Sequence, residues 1–124
     1  MATIDIKIEG NLLIVSISGD LTTTEIISII REYYPTGNAK NVIWDLTNGS
    51  LHLISNNGYK EIASAAKQAV ANGSRLGGKT AYVGNVDVEY GLMRMYTAIA
   101  EMTGVPIEYN VYKTLEKARS WIEE

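Results

Sequence analysis

The feature that most constrains this chain is the run Val42-Ile43-Trp44, continued through Asp45 to Leu46, which does not alternate between apolar and polar residues. A strand with apolar residues on both faces must be covered on both sides, which is the situation of an inner strand in an α/β sheet. Polar and glycine-containing stretches bound the run, residues 35–40 before it and 48–50 after it. Residues 41–47 are therefore read as the central parallel strand. Open α/β sheets bind at the carboxyl ends of their strands. Asp45, Thr47 and Asn48 accordingly mark the expected functional edge.

The remaining segments supply the cover. Residues 3–9 alternate Ile4, Ile6 and Ile8 with Asp5, Lys7 and Glu9, the period of a half-buried strand. Gly10-Asn11 tolerates a tight turn, and residues 12–18 return as a second, more apolar strand, making an antiparallel hairpin. Thr22 and Glu25 form a capping box ahead of Ile26, Ile27, Ile29, Ile30 and Tyr33 at helical spacing. Pro35 ends that helix. Residues 48–55 read as a loop, followed by a helix carried by Ile62, Ala65, Ala66, Ala69 and Val70, with Gly73 as its left-handed cap. Residues 79–83 form a fourth strand. Asp87 is placed to cap a third helix whose inward face reads Val88, Leu92, Met95, Ile99 and Met102. This favours core positions for Met95 and Met102 and leaves Met93 and Arg94 open. After Gly104-Val105-Pro106, residues 107–112 form a fifth strand. Thr114 caps a last helix with Leu115, Ala118 and Ile122 inward and Trp121 beside them. The order is β-β-α-β-α-β-α-β-α, and right-handed crossovers make the linked strands parallel. The expectation is an α/β fold with a mixed five-stranded sheet.

A chain of 124 residues suggests a single domain, 1–124. A net charge of −3 carries no basic footprint, so nucleic acid is not an expected partner. The absence of cysteine removes disulfides and thiolate chemistry. No apolar run approaches the roughly 20 residues that span a bilayer, so stable membrane insertion is not expected. The first residues carry strand patterning rather than a signal-peptide core, which points to the cytoplasm.

Residues Gly73-Ser74-Arg75-Leu76-Gly77-Gly78-Lys79-Thr80 match the phosphate-loop pattern G-x-x-x-x-G-K-[ST]. A phosphate loop needs a strand before it and a helix after it, so that the helix N-terminus completes the anion site. Here the order is reversed, and the segment reads as a glycine-rich turn into the fourth strand. His52 is the sole histidine, too little for a zinc site without cysteine. A Ser-His-Asp set assembled from His52 and Asp45 lacks any nucleophile elbow. No enzyme activity, metal or cofactor is expected.

Two segments carry a family resemblance. Val42-Ile43-Trp44-Asp45-Leu46-Thr47 resembles the central strand of the STAS fold, named for sulfate transporters and anti-sigma-factor antagonists. The tail from Val111-Tyr112-Lys113-Thr114 through Ala118 to Trp121-Ile122 resembles the SpoIIAA-like, or STAS/SEC14-like, branch. The resemblance implies a regulatory, protein-binding module. In the antagonists an Asp-Ser-Ser-Gly segment opens the second helix, and one serine is phosphorylated. The matching stretch here is Ser55-Asn56-Asn57-Gly58, so both serine positions are asparagine and Ser55 is the remaining hydroxyl. The expected binding edge is therefore Asp45, Thr47, Asn48, Ser55, Asn56 and Asn57. A protein partner is expected, and the open first strand invites a homodimer. The alternative reading is a carrier of a lipid or other apolar molecule, in a pocket under the third helix lined by Met93, Met95 and Tyr96.

Overall fold

Thr3–Glu9 (β1) and Leu12–Asp20 (β2) form the opening hairpin, with Glu9 paired to Leu12. Of the two turn residues Gly10 takes a positive φ, 63°, and Asn11 does not, the pattern of a type II′ hairpin. In the computed structural model, which describes residues 2–36, 39–70, 75 and 77–124, the chain then runs through three β-α-β units. These are Thr23–Tyr33 (α1), Asn41–Ser50 (β3), Asn56–Val70 (α2), Lys79–Val83 (β4), Asp87–Thr103 (α3) and Glu108–Tyr112 (β5), followed by Leu115–Ile122 (α4). The strands lie in the order β1-β2-β3-β4-β5, with β1 antiparallel and the other four parallel. Gly73, expected to cap α2, lies outside the described residues.

The central run is the middle strand, and its two faces divide the core. Val42, Trp44 and Leu46 join Leu13, Val15 and Ile17 of β2 beneath α1, α2 and α3. Ile43 joins Ile14, Ala81 and Val83 beneath α4, where Ala118 and Ile122 close the other face. Of the helix N-caps read from sequence, those at Thr22 and Thr114 form. The Thr22 hydroxyl accepts from Glu25 N–H at 3.2 Å while the Glu25 carboxylate accepts from Thr22 N–H at 2.9 Å. Thr114 accepts from Lys117 N–H at 3.3 Å.

Four local expectations need correcting. β2 and β3 outrun their expected ends and pair as far as Asp20 and Ser50. Gly49 makes this extension fit, because a Cβ there would lie 3.0 Å from Ile17 Cγ2 and 3.2 Å from the Ile17 carbonyl oxygen. β5 begins at Glu108 rather than 107. The third correction is the rotation of α3. Met93, Tyr96 and Ala100 are buried, whereas Val88 is 66 %, Met95 36 % and Met102 88 % exposed. The inward stripe is displaced by one residue, about 100° around the helix. Tyr96 meets Tyr82 and Tyr109 edge-on, with ring centres 5.7 and 6.2 Å away, and Met93 fills the space beside Gly84. The α3 cap also differs. Val86 is the N-cap without a side-chain bond, and Asp87 sits in the first turn, paired with Lys113 at 3.2 Å.

Candidate functional site

The carboxyl ends of the parallel strands form one rim, and the expected edge residues occupy it in two groups. Asp45 lies level with Val83, the last residue of β4. By alternation it shares its face with Ile43, the α4 side. Its Oδ1 accepts from Thr47 N–H at 3.0 Å and from Thr47 Oγ1 at 2.6 Å. Ser16 pairs with Asp45 and Ser18 with Asn48, so the single residue Ile17 spans both Leu46 and Thr47. Asp45 therefore closes a β-bulge by bonding its own backbone. Thr47 and Asn48 are exposed just beyond it.

The second group opens α2. Ser55 Oγ accepts from Gly58 N–H at 3.0 Å, so this hydroxyl is the N-cap. Asn56 and Asn57 are exposed beside it, and Asn57 Nδ2 donates to Glu61 Oε1 at 3.3 Å. Among the described residues no hydrogen bond joins this group to Asp45, Thr47 or Asn48.

A third group on the rim was not anticipated. Asp20 and Ser50 are paired at the ends of β2 and β3. Ser50 Oγ lies 2.5 Å from His52 Nδ1 and donates to Glu89 Oε1 at 3.1 Å. Because the single Ser50 proton goes to Glu89, His52 Nδ1 is the donor to Ser50. The same nitrogen lies 3.4 Å from Asp20 Oδ1. Serine and aspartate thus share one ring nitrogen. A catalytic triad needs them on opposite nitrogens, so this cluster is a hydrogen-bonded strut. Glu89 Oε2 also accepts from Leu51 N–H at 2.9 Å, tying the first turn of α3 to the loop after β3. The two tied segments carry exposed apolar side chains, Leu53 (55 %) on one and Val86 (56 %) and Val88 (66 %) on the other. Asp20, Ser50 and Glu89 are far apart in sequence, and only the β2–β3 register and the packing of α3 reveal their meeting.

The phosphate-loop residues are engaged elsewhere. Lys79 Nζ donates to the carbonyls of Trp121 (2.9 Å) and Glu124 (3.2 Å), where it meets the carboxyl end of α4. Arg75 is fully buried, with its guanidinium 4.4 Å above the Tyr34 ring. It donates to Lys40 O, Lys79 O and Thr80 Oγ1. Gly73, Ser74 and Leu76 of the pattern lie outside the described residues.

Under α3 lies an apolar cavity of about 30 Å³, lined in part by Trp44, Leu46, Tyr59, Tyr82, Met93 and Tyr96. Of the three residues expected at a pocket, Met93 and Tyr96 line this cavity and Met95 does not. Tyr59 Oη is buried with no hydrogen-bond partner among the described residues. Burial, then the Glu89 carboxylate, push its pKa up to about 12. Among the described residues, no group of three or more histidine, cysteine or acidic side chains is placed to hold a metal ion. None of the described helices is long and apolar enough to cross a membrane.

A scan against protein-family models finds no match, and a search of curated proteins finds none. Solved structures do match. An anti-sigma factor antagonist from Mycobacterium paratuberculosis superposes with a TM-score of 0.60 at 14 % identity, over 100 % of this chain and 96 % of the other. The anti-sigma factor antagonist SpoIIAA, in its unphosphorylated form, gives 0.57 at 11 % identity, over 98 % of each chain. A protein with a SpoIIAA-like fold from Shewanella loihica PV-4 gives 0.53 at 16 % identity, over 98 % of this chain and 93 % of that one. The chain has the STAS, SpoIIAA-like fold.

Proposed function

We propose that this chain is a non-enzymatic, cytoplasmic regulatory module that binds a protein partner through the carboxyl-terminal rim of its sheet. The observation that carries the reading is the Glu89 tie. It joins the segments that carry exposed Leu53, Val86 and Val88, and the neighbouring segments carry the polar side chains of Asp20, His52, Asn56 and Asn57. Apolar side chains ringed by polar ones are the make-up of a protein interface. Likeness in fold to anti-sigma factor antagonists supports the same class of function. Asp45, Thr47 and Asn48 extend the margin along β3, and Ser55 fixes the start of α2.

The test is affinity capture with the wild type and with Asn56→Asp plus Asn57→Asp. Acids in the first turn of a helix are favourable, and this offsets the new repulsion between position 57 and Glu61. The fold therefore holds and the rim charge changes. Loss of one retained partner, with an unchanged unfolding curve, supports the reading. Retention of every partner contradicts it.

The alternative of an apolar-ligand carrier draws on the cavity and on the unpartnered Tyr59 hydroxyl. A volume of about 30 Å³ is far below the roughly 300–1,000 Å³ of a small-molecule pocket. An acyl chain therefore enters only if Met93 and Tyr96 swing aside. Native mass spectrometry of freshly purified protein checks this. A persistent mass excess supports a carrier, and a bare mass with no thermal shift on adding fatty acid counts against it.

A further inference from the structure

We propose that β1 is a self-complementary edge through which two copies of this chain join their sheets into one ten-stranded sheet. The sheet order leaves β1 and β5 as its edges. On β5 the Val111 N–H is taken by the Asn110 side chain at 3.0 Å, and Asn110 Nδ2 donates to Tyr112 Oη at 2.9 Å. Side chains thus already occupy backbone and space at that edge. β1 has no such blocking bond among the described residues, and its Ile8 is 47 % exposed.

Symmetry narrows the pairing to three choices. Two antiparallel copies of one strand are related by a two-fold axis normal to the sheet, which keeps equivalent faces together. The axis therefore passes at a residue, and near the middle of β1 that means Asp5, Ile6 or Lys7. Centring on Asp5 sets Asp5 against the partner's Asp5. Centring on Lys7 sets Lys7 against the partner's Lys7 and Asp5 against the partner's Glu9. Like charges directly opposite each other are destabilising. Centring on Ile6 avoids every such clash. It sets Asp5 against the partner's Lys7, Thr3 against the partner's Glu9, Ile4 against the partner's Ile8, and Ile6 against the partner's Ile6. The apolar pairs fall on the face that packs beneath α1, α2 and α3, where Ile4 and Ile6 already join the core. The charged pairs fall on the opposite face.

Lys7 is free to change partners. It pairs with Glu9 at 3.1 Å, but Glu9 is also held by Arg119 through two bonds of 2.9 and 3.2 Å. Moving Lys7 to the partner's Asp5 leaves Glu9 neutralised. One strand-to-strand ladder is small beside a standard interface of about 1,600 Å², so association is concentration-dependent.

The experiment is sedimentation velocity of the full chain from low micromolar to near-millimolar concentration. The expected result is reversible dimerisation without higher species, because a two-fold contact closes. Asp5→Lys weakens association about tenfold, since it replaces two attractive cross-strand pairs with two repulsive ones. Lys7→Asp acts likewise, and Asp5→Lys with Lys7→Asp together restore the dimer. Both positions are exposed, so circular dichroism confirms an unchanged fold in each variant. A monomer at every concentration overturns the proposal. Equal association of wild type and both single variants overturns it too, as does failure of the double variant to recover.

Discussion

Replacing Met93 by alanine removes a side chain with no solvent exposure from the wall of the cavity under α3. Truncations of this kind cost about 2–5 kcal/mol, rising with the volume left unfilled. The void of about 30 Å³ already beside Met93 shows that α1, α2 and the sheet have not collapsed onto this site. The cost therefore falls in the upper part of the range, about 3–4 kcal/mol. Unfolding entropy of about 2.1 cal/mol/K per residue over this chain gives about 0.26 kcal/mol/K, so the melting temperature drops by about 12–15 °C. Met95→Ala and Met102→Ala test the other stripe of the helix. With Met95 36 % and Met102 88 % exposed, the first costs less than about 1 kcal/mol and the second less than about 0.5 kcal/mol. Thermal and urea unfolding followed by circular dichroism measures all three. A loss at Met95 or Met102 equal to that at Met93, or a Met93→Ala cost below about 1 kcal/mol, refutes the rotation of α3.

Gly58→Ala places a Cβ 2.6 Å from Thr23 Oγ1, where α1 and α2 begin side by side. The resulting strain of about 1–3 kcal/mol outweighs the roughly 1 kcal/mol gain in helix propensity, and Thr23→Ala relieves it in a double-mutant cycle. Ser55→Ala removes the bond to Gly58 N–H and costs about 1 kcal/mol in chemical denaturation, whereas Ser55→Asp keeps the cap and costs little. The Arg119 guanidinium, then Lys7, hold the Glu9 carboxyl at about 2, below its ordinary 4.5. A depressed folded-state pKa stabilises above the ordinary value and is lost as pH falls from about 4.5 toward 2. Carboxyl titration by NMR checks this, and Arg119→Ala returns Glu9 toward its ordinary range.

The elements most legible in the sequence are those set by near neighbours. The Gly10-Asn11 turn, the Thr22–Glu25 capping box and the Thr114 cap each depend on residues within a few positions. The central strand was legible because both its faces are apolar. α3 was not, because it carries two apolar stripes. Leu92, Met95 and Ile99 alone look as inward-facing as Met93, Tyr96 and Ala100. What decides is Tyr82 and Tyr109 beneath Tyr96, and Ser50 and Leu51 beneath Glu89, all distant in sequence. Asn48 and Gly49 likewise read as loop because Gly49's close approach to Ile17 exists only once β2 and β3 pair. The rim shows the same limit. Ser55, Asn56 and Asn57 were legible only through the family resemblance of the segment that opens the second helix. The contact of Asp20, Ser50, His52 and Glu89 joins three stretches that only the fold brings together.

The most direct measurement of the rim is amide hydrogen exchange of the free chain against the chain bound to its captured partner. Added protection at residues 51–58 and 85–89, with the outer face of α1 and α2 unchanged, is the predicted result. Protection confined to the groove between α1 and α2, around Arg31 and Gln68, with no change across the rim, contradicts it.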